Sequence, residues 1–346
     1  MTNISNAADI IATAPALDCY VCGSKGIRLH TGLPDPQCIA PGQWNLKRCQ
    51  NPDCGLVWLD PMPLKEDLWK AYRVYFTHLD YVPGDNRKVD WFNFLLLKIH
   101  KPIYKLFEHV VGMRKVEKKW RKKADFMFLG ETSPNRGRLL DVGCGKGDLL
   151  VRFLQKGWNV EGQEVDAEAV TCARAKHNLN IHQGELENQR FPAESFDVIT
   201  MNHVIEHVYD PLSLLHECLR ILKPGGRIVL ATPNIIPCLG YKKFGKYWAH
   251  LDPPRHLYLF TKENLKHCVT KAGFRSVNSF IVPGYAEGGA IRASIKREEL
   301  DYGKKRWEFS KWLEASYLKV LAYYLFFLKK HEDIGEEIFL IATKDI

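Results

Sequence analysis

The sequence predicts an α/β protein with a doubly wound, mostly parallel sheet of seven strands, a small N-terminal module and helical insertions. Two observations lead to this prediction. A short apolar run, Arg138–Val142, leads into a glycine-rich turn that is followed by apolar residues at helical spacing. Strand-like and helix-like segments then alternate through most of residues 136–275. Because parallel strands need helical crossovers between them, this alternation favours a parallel sheet.

The elements of the core are expected at short intervals along the chain. Strands are expected at Arg138–Val142, Trp158–Asp166, Ile181–Leu186, Asp197–Met201, Arg227–Ala231, Ser276–Val282 and Glu337–Ala342. Helices are expected from Asp148 onwards and at Val170–Lys176, Leu212–Leu222 and Lys262–Ala272. We expect the last strand to be antiparallel and to lie at the edge of the sheet.

The turn after the first core strand contains Gly143, Gly145 and Gly147. A glycine-rich turn between a strand and a helix is where a doubly wound sheet binds a nucleotide. The dinucleotide fingerprint has the spacing G-x-G-x-x-G, whereas here Asp148 stands at the third glycine position, which disfavours a nicotinamide cofactor. Glu164, at the end of the second strand, is placed to accept both hydroxyls of a ribose, with Asp166 as its near neighbour.

Five segments in this order resemble the class I S-adenosylmethionine-dependent methyltransferases, and most closely the branch with ubiquinone-type and sugar methyltransferases. They are Val142–Gly147, Glu164, Ser195–Ile199, His203–His207 and Leu222–Arg227. The resemblance implies a Rossmann-like fold over residues 136–275 and S-adenosyl-L-methionine as cofactor. The cofactor contacts that it implies come from Asp141, Gly143, Cys144, Gly145, Gly147, Glu164, Val165, Glu185, Leu186, Asn202 and His203. Among these, Glu185 is expected at the adenine amino group, and Asn202 and His203 at the methionine part.

Two cysteine pairs near the N-terminus predict a structural zinc site. Cys19 and Cys22 form the first pair, and Cys49 and Cys54 the second, with 26 residues between the pairs. Four thiolates suit tetrahedral zinc and leave no open position for a catalytic water. Free buried cysteines are the alternative. A zinc-ribbon-like module in this position resembles a subset of sugar methyltransferases that act on nucleotide-linked deoxysugars.

These patterns divide the chain into four expected units. Residues 1–60 form the zinc-binding module, after a poorly ordered lead-in over residues 1–17, and residues 61–135 form a helical, basic linking or lid region. Residues 136–275 form the cofactor-binding core, and residues 276–346 add strands and a hydrophobic helix. That helix, within residues 307–330, is either part of the core or a lid over an acceptor groove. An aromatic cluster at residues 72–81 either covers an acceptor pocket or packs one helix against the core.

The positive charge is concentrated in one segment. Residues 98–123 contain ten Lys or Arg and two Glu, a net charge of +8, whereas the whole chain carries +9. A solvated helix face explains this segment, and peripheral contact with an anionic membrane surface is the alternative. Nucleic-acid binding is disfavoured because no recognisable RNA-binding module accompanies the charge. The N-terminus lacks a secretion signal, and no apolar run is long enough to span a bilayer, so we expect a cytoplasmic protein.

The expected reaction is methyl transfer to O or C of a small-molecule acceptor, such as a sugar or a lipid-linked, polyketide-like or quinone-like compound. An acceptor hydroxyl needs a base, and histidine titrates in the useful range. His256 is the first candidate for this role and His207 the second, each with a purely structural role as its alternative, and Glu206 is held in reserve. No metal-binding carboxylate set is evident in the core. The alternative functions are a catalytically inactive, methyltransferase-like cofactor-binding or scaffold protein, and a NAD-dependent sugar-modifying enzyme.

Overall fold

The computed structural model of the chain describes most residues from 10 onwards. The described residues are 10–36, 40–72, 98, 101–102, 104–105, 112–129, 137–236, 238–282, 289–303, 306 and 308–346. The predicted aromatic cluster therefore lies outside the described residues except for Tyr72, and so do residues 99–100, 103 and 106–111 of the predicted basic segment. Within the described part, no helix is both long enough and apolar enough to cross a membrane.

The described secondary structure comprises thirteen strands and eight α-helices. The strands are β1 (Thr13–Ala14), β2 (Gly26–Pro34), β3 (Gln43–Cys49), β4 (Val57–Leu59), β5 (Met62–Pro63), β6 (Arg138–Val142), β7 (Asn159–Glu164), β8 (Ile181–Gln183), β9 (Phe196–Asn202), β10 (Leu222–Pro233), β11 (Tyr258–Leu259), β12 (Arg275–Val282) and β13 (Glu337–Thr343). The helices are α1 (Met113–Ala124), α2 (Asp148–Gln155), α3 (Ala167–His177), α4 (Pro211–Ile221), α5 (Leu239–Phe244), α6 (Lys262–Lys271), α7 (Gly289–Tyr302) and α8 (Glu308–Tyr323). Short 3-10 helices include Lys65–Tyr72, and a π-helical turn, Tyr324–Leu328, follows α8.

The main sheet has seven strands in the order β12-β13-β10-β9-β6-β7-β8. Strands β6 to β10 are mutually parallel, and β13 runs antiparallel to both of its neighbours. The strand order reverses at β6, which lies between β7 and β9. In a doubly wound sheet the ligand binds at this reversal, at the carboxyl ends of the strands. The predicted fold class is therefore confirmed, and the glycine turn after β6 lies at the expected position.

The predicted place of the last strand was wrong in one respect. β13 is antiparallel as expected, but it lies between β10 and β12, and β12 forms the edge of the sheet. The physical reason is burial: Ile338, Phe339 and Leu340 are consecutive buried apolar residues, so both faces of β13 need cover. β12 begins with exposed residues and tolerates the edge position better.

A second sheet joins the N-terminal part to the core. Its four strands are antiparallel in the order β11-β4-β3-β2, and β11 comes from a segment about two hundred residues away, with Tyr258 paired to Trp58. One continuous hydrophobic cluster extends from Leu46 and Trp58 in this sheet to Phe260 and Leu265 in the core. The N-terminal four-cysteine part is thus packed against the core through shared backbone pairing and shared apolar contacts.

Part of the expected lead-in is ordered structure. Thr13 and Ala14 pair with β5, the side chain of Ile11 is buried, and the indole of Trp58 donates a hydrogen bond of 2.9 Å to the carbonyl of Ala16. The expectation of a poorly ordered segment over residues 1–17 was therefore wrong from residue 10 onwards. Sequence alone misses this because both partners, β5 and Trp58, lie more than forty residues further along the chain.

Candidate functional site

The turn after β6 has the backbone geometry that glycine allows. Gly143, Gly145 and Gly147 all have positive φ values, of 68°, 53° and 83°. A Cβ atom on Gly143 would lie 2.4 Å from a methyl of Val204, so glycine lets the turn pack against the segment that follows β9. A Cβ atom on Gly145 would meet no atom within 4 Å, because this residue faces open space. The turn thus leaves room for a ligand against its backbone.

Glu164 ends β7 directly beside this turn. Its carboxylate accepts backbone N–H groups from Gly145 at 2.8 Å, Val165 at 2.8 Å and Asp166 at 3.0 Å. Three backbone donors fix the orientation of the carboxylate and stabilise its charge. A carboxylate offers about four lone-pair positions, so one remains for a further donor such as a ribose hydroxyl. The arrangement is compatible with a contact to one hydroxyl, whereas the sequence suggested both.

Two of the expected cofactor contacts lie beneath the turn. Asp141 is buried in β6 and accepts a hydrogen bond of 2.6 Å from the hydroxyl of Thr200, and burial raises the pKa of its carboxyl to about 7. The sulfur of Cys144 is also buried and packs close to Gly162, and burial raises the pKa of its thiol. These positions suit residues that support the turn from below.

The remaining expected contacts surround the crevice at the strand ends. Val165 is 59% exposed at the end of β7, whereas Leu186 is buried at the start of a 3-10 helix. Glu185 precedes that helix and lies 3.4 Å from the ammonium of Lys65, with about half of its side chain exposed. An exposed apolar side chain beside Glu164 is suited to lie against a flat ring, while Glu185 remains reachable from solvent.

Asn202 and His203 line a crevice of about 760 Å³, including its opening to solvent, together with residues of α1, α2 and β13. Arg121, Arg152 and Glu337 add charged groups to this lining. The Nε atom of Arg152 is buried and has no hydrogen-bond partner among the described residues. A buried donor of this kind usually has a partner, and a ligand carboxylate is a suitable one. This orphan donor is consistent with a ligand that carries an amino-acid end.

Sequence reasoning missed Arg121, Arg152 and Glu337. Arg152 lies four residues after the start of α2, the helix that follows the glycine-rich turn. Its fixed distance from that turn in the sequence could have identified it as a candidate cofactor contact. Glu337 follows His203 by 134 residues, and only the pairing of β13 with β10 places it beside the crevice. Such contacts depend on sheet topology, which spacing along the chain does not encode.

His203 is held between two carboxylates. Its Nε2 lies 2.7 Å from Glu337 and its Nδ1 lies 3.3 Å from Glu206, and its φ of 54° is in the left-handed region. Burial opposes the charge of the ring, but the two carboxylates outweigh burial and raise the pKa of His203 to about 10. Burial likewise opposes the charge of Glu206, yet His203 and the neighbouring histidines lower the pKa of Glu206 to about 2. The pair is therefore charged at neutral pH.

The two candidate base residues, His207 and His256, are neighbours. Their ring centroids are 4.6 Å apart. Nδ1 of His207 lies 3.0 Å from the backbone carbonyl of Arg255, and Nδ1 of His256 lies 2.7 Å from that of His250. Because a carbonyl only accepts, we assign the proton of each ring to Nδ1, which leaves each Nε2 as a proton acceptor. Tyr72 also contacts Nδ1 of His207, at 3.0 Å.

Burial keeps these imidazoles neutral. It lowers the pKa of His207 and of His250 to about 4, and it also lowers the pKa of His256. A neutral imidazole with its Nδ1 proton bonded to the backbone is in the form that a general base needs. The structure therefore brings together the two histidines that the sequence suggested, in the protonation state that their proposed role requires.

Glu206 joins this pair, and donor atoms of Glu206, His207 and His256 all lie within 4.8 Å of one another. This donor set can hold a divalent ion, and sequence reasoning had found no such set in the core because His256 lies 49 residues after His207. However, the carboxylate of Glu206 already accepts a hydrogen bond of 2.9 Å from Thr232 and faces the charged ring of His203. These contacts offset its negative charge and favour an orienting role for Glu206.

The four cysteines of the N-terminal module lie together. Sγ of Cys19 is 3.7 Å from that of Cys54, Sγ of Cys22 is 3.4 Å from that of Cys49, and all four sulfurs lie within 4.8 Å of one another. Tetrahedral zinc with bonds of about 2.3 Å separates its sulfurs by just under 4 Å. Gly23 and Gly55 follow the pairs with positive φ, as a tight turn around a metal requires. The donor set therefore fits zinc.

Part of this chain is similar to known methyltransferases. Residues 113–279 match the model of a family described as a methyltransferase domain. A ubiquinone biosynthesis O-methyltransferase of Klebsiella pneumoniae is 29% identical over 170 residues, which are 47% of this chain and 63% of that protein. A protein of the same name from Hydrogenovibrio crunogenus is 29% identical over 196 residues, 54% of this chain and 74% of that protein. The match thus spans less than two thirds of the Klebsiella protein.

A solved structure of a SAM-dependent methyltransferase from Archaeoglobus fulgidus aligns with 70% of this chain and 99% of its own, at 20% identity and a TM-score of 0.43. The assignment of the class rests on the strand order, the glycine turn with Glu164 and the family match. These define an α/β domain of the Rossmann-like, nucleotide-binding type. Within that type, residues 113–279 are similar to a methyltransferase domain, in agreement with the family that the sequence resembles.

Proposed function

We propose that this chain transfers a methyl group from S-adenosylmethionine to a hydroxyl group of a small-molecule acceptor. The observation that carries the proposal is the Glu164 carboxylate, fixed by three backbone N–H groups beside the open glycine turn. The names of the relatives, which are O-methyltransferases, support oxygen as the atom that is methylated. A sugar, lipid-linked, polyketide-like or quinone-like acceptor remains compatible with the site.

The residues of the chain have distinct roles in this proposal. Glu164 holds the ribose, Val165 lies against the adenine, and Arg152 receives the carboxylate of the methionine end. The bound cofactor supplies a methyl group already activated by its sulfonium. The protein then has to position the acceptor and remove its proton. Nε2 of His256 accepts that proton, and His207 and Glu206 orient the ring of His256 and balance its charge.

Replacing Glu164 with alanine is expected to weaken binding of S-adenosylmethionine roughly tenfold to a hundredfold, the usual effect of losing hydrogen bonds to a charged group. Isothermal titration calorimetry measures this. The matched control is Glu161→Gln on the same strand, whose carboxylate pairs with Arg138 and His182 instead of the turn. Unchanged affinity in the Glu164 variant, with its circular dichroism spectrum intact, would remove the ribose assignment.

We further propose that Cys19, Cys22, Cys49 and Cys54 bind one structural zinc ion, and we expect Cys49→Ser to lose it. Since the small sheet includes β11, which begins two residues after His256, loss of the metal should also lower the thermal midpoint of the core. Metal content by inductively coupled plasma mass spectrometry and differential scanning fluorimetry test both points. Cys172→Ser on α3 is the control and should keep both properties. Wild-type protein purified without metal would contradict the proposal.

The charge of the basic segment bears on where the protein is located and on whether it contacts a membrane. The described part of the basic segment includes α1, which carries Arg121, Lys122 and Lys123 in its last turn. A cytoplasmic enzyme that touches an anionic membrane surface through this helix remains a proposal, supported by the charge of the segment alone. Sedimentation of the protein with phosphatidylserine vesicles, and its reversal by salt, is the measurement that tests it.

A further inference from the structure

A second cavity lies between α1, α5, α7, α8 and the turn that precedes β13. The space between these elements amounts to about 790 Å³ when its opening to solvent is included. Its walls are largely apolar, with Leu239, Ile291, Leu318, Phe326 and Ile334 among the lining residues. The hydrophobic segment at residues 307–330 therefore contributes one wall of a cavity, through α8 and the π-helical turn after it.

One lining residue, Glu336, does not fit an apolar wall. Its Oε2 atom is buried and has no hydrogen-bond partner within the described ranges. Burial, with a smaller contribution from Glu337, raises the pKa of Glu336 to about 7. A carboxylate oxygen buried without a partner is costly and rare in folded proteins, so its presence here needs an explanation.

The neighbouring residue Asn234 is bonded to the backbone of this turn. The backbone N–H of Asn234 donates a hydrogen bond of 2.8 Å to the carbonyl of Glu336. The side-chain amide nitrogen of Asn234 donates to the carbonyls of Asp333 and Gly335, at 2.9 Å and 2.7 Å. That leaves its Oδ1 atom buried, with no partner in the described part of the chain. The side-chain N–H groups of Asn234 are therefore engaged by these two carbonyls and are not directed at the carboxylate of Glu336.

The other charged residues that line the cavity are already paired with each other. The ammonium of Lys319 lies 3.1 Å from the carboxylate of Glu117, on α8 and α1. Glu337 lines the neighbouring crevice, where it lies 2.7 Å from His203. The described lining therefore supplies no cation for Glu336.

We propose that this cavity binds an amphiphilic cation, with an ammonium group against Glu336 and an alkyl or aryl body along the apolar walls. An ammonium brings positive charge and several N–H donors, which suits a carboxylate. A neutral hydroxyl brings one donor and no charge, and an anion is repelled. Binding of this ligand needs no methyl donor, so the inference is independent of the proposed reaction.

Titration calorimetry at pH 8 with three probes that share one nonyl chain tests the proposal. The probes are nonylammonium, nonan-1-ol and nonanoate, each kept below its critical micelle concentration. We expect the ammonium to bind at least tenfold more tightly than the alcohol, and the carboxylate to bind most weakly. At pH 6 this preference should shrink, because Glu336 becomes protonated as the pH falls below about 7.

Glu336→Gln keeps the shape of the side chain and removes its charge. We expect this variant to bind the ammonium no better than the alcohol, while Glu117→Gln on α1 keeps at least part of the preference. Removing a buried unpaired charge should not lower the thermal midpoint, so folding of the Glu336 variant can be checked directly. Equal binding of ammonium and alcohol by the wild type, an unchanged preference in Glu336→Gln, or no binding of any probe would overturn the proposal.

Discussion

Replacing Arg255 with methionine is expected to lower the free energy of unfolding by about 3–5 kcal/mol, the usual cost of leaving buried charges unpaired. The side chain of Arg255 is fully buried. Its guanidinium forms a bidentate pair with Asp252, at 2.9 Å for both contacts, and pairs with Asp35 of the N-terminal part. It also donates a hydrogen bond of 3.1 Å to the carbonyl of Ala71. Three chain segments thus meet at one cation.

The carboxylates make this substitution severe. Burial alone would favour the neutral form of Asp252, but Arg255 outweighs burial and lowers the pKa of Asp252 to about 2. Without the guanidinium, Asp35 and Asp252 are both buried without their main partner. Urea unfolding followed by circular dichroism measures the change. The control is Arg220→Met, since Arg220 pairs with Glu217 at 2.6 Å but is 44% exposed, where a pair contributes about 0–1 kcal/mol. Equal losses in both variants would contradict the proposed role of the network.

Replacing His256 with glutamine is expected to slow methyl transfer by roughly 10²–10⁴-fold, the typical contribution of a general base. The affinity for S-adenosylmethionine should stay unchanged, because His256 is assigned to the acceptor proton and not to the methyl donor. The assay follows tritium from S-adenosyl-[methyl-³H]methionine into phenolic and sugar acceptors, with protocatechuate as the first probe.

The control for this experiment is His216→Gln, because His216 is exposed on α4, away from the histidine pair. His207→Gln provides a second comparison, and we expect a smaller loss of rate, since Nδ1 of His207 contacts both Tyr72 and the carbonyl of Arg255 and has an orienting role. A His256 variant that transfers methyl groups at the wild-type rate would end the assignment of the base. If the His256 variant lost affinity for the cofactor to the same extent as it lost rate, the result would indicate damage to the crevice instead.

Sequence reasoning located the local features well. The glycine turn, Glu164 and the strands and helices around them follow from residue types and spacing within thirty residues. The residues that determine these features are neighbours in the sequence, so their pattern can be recognised without the fold. The four cysteines also converge as their spacing suggested, because two tight turns bring each pair together.

Features that depend on distant pairing were not predictable in the same way. The place of β13 inside the sheet, the union of β11 with the small sheet and the ion pair between Asp35 and Arg255 each join segments far apart in the chain. The sequence suggested His207 and His256 as candidate bases. Their neutral state depends on burial and on two backbone carbonyls that only the folded chain supplies. Likewise, nothing in the sequence distinguishes Glu336 from other polar residues, and only the fold places it in the wall of an apolar cavity.

The central claim is that the crevice at the carboxyl ends of β6, β7 and β9 binds an adenosyl sulfonium amino acid. The most direct test is calorimetric titration of the wild-type chain with S-adenosylmethionine and, separately, with NAD. The account predicts saturable binding of S-adenosylmethionine with one site per chain and no binding of NAD. Heat of binding with NAD alone, or with neither compound, would contradict it.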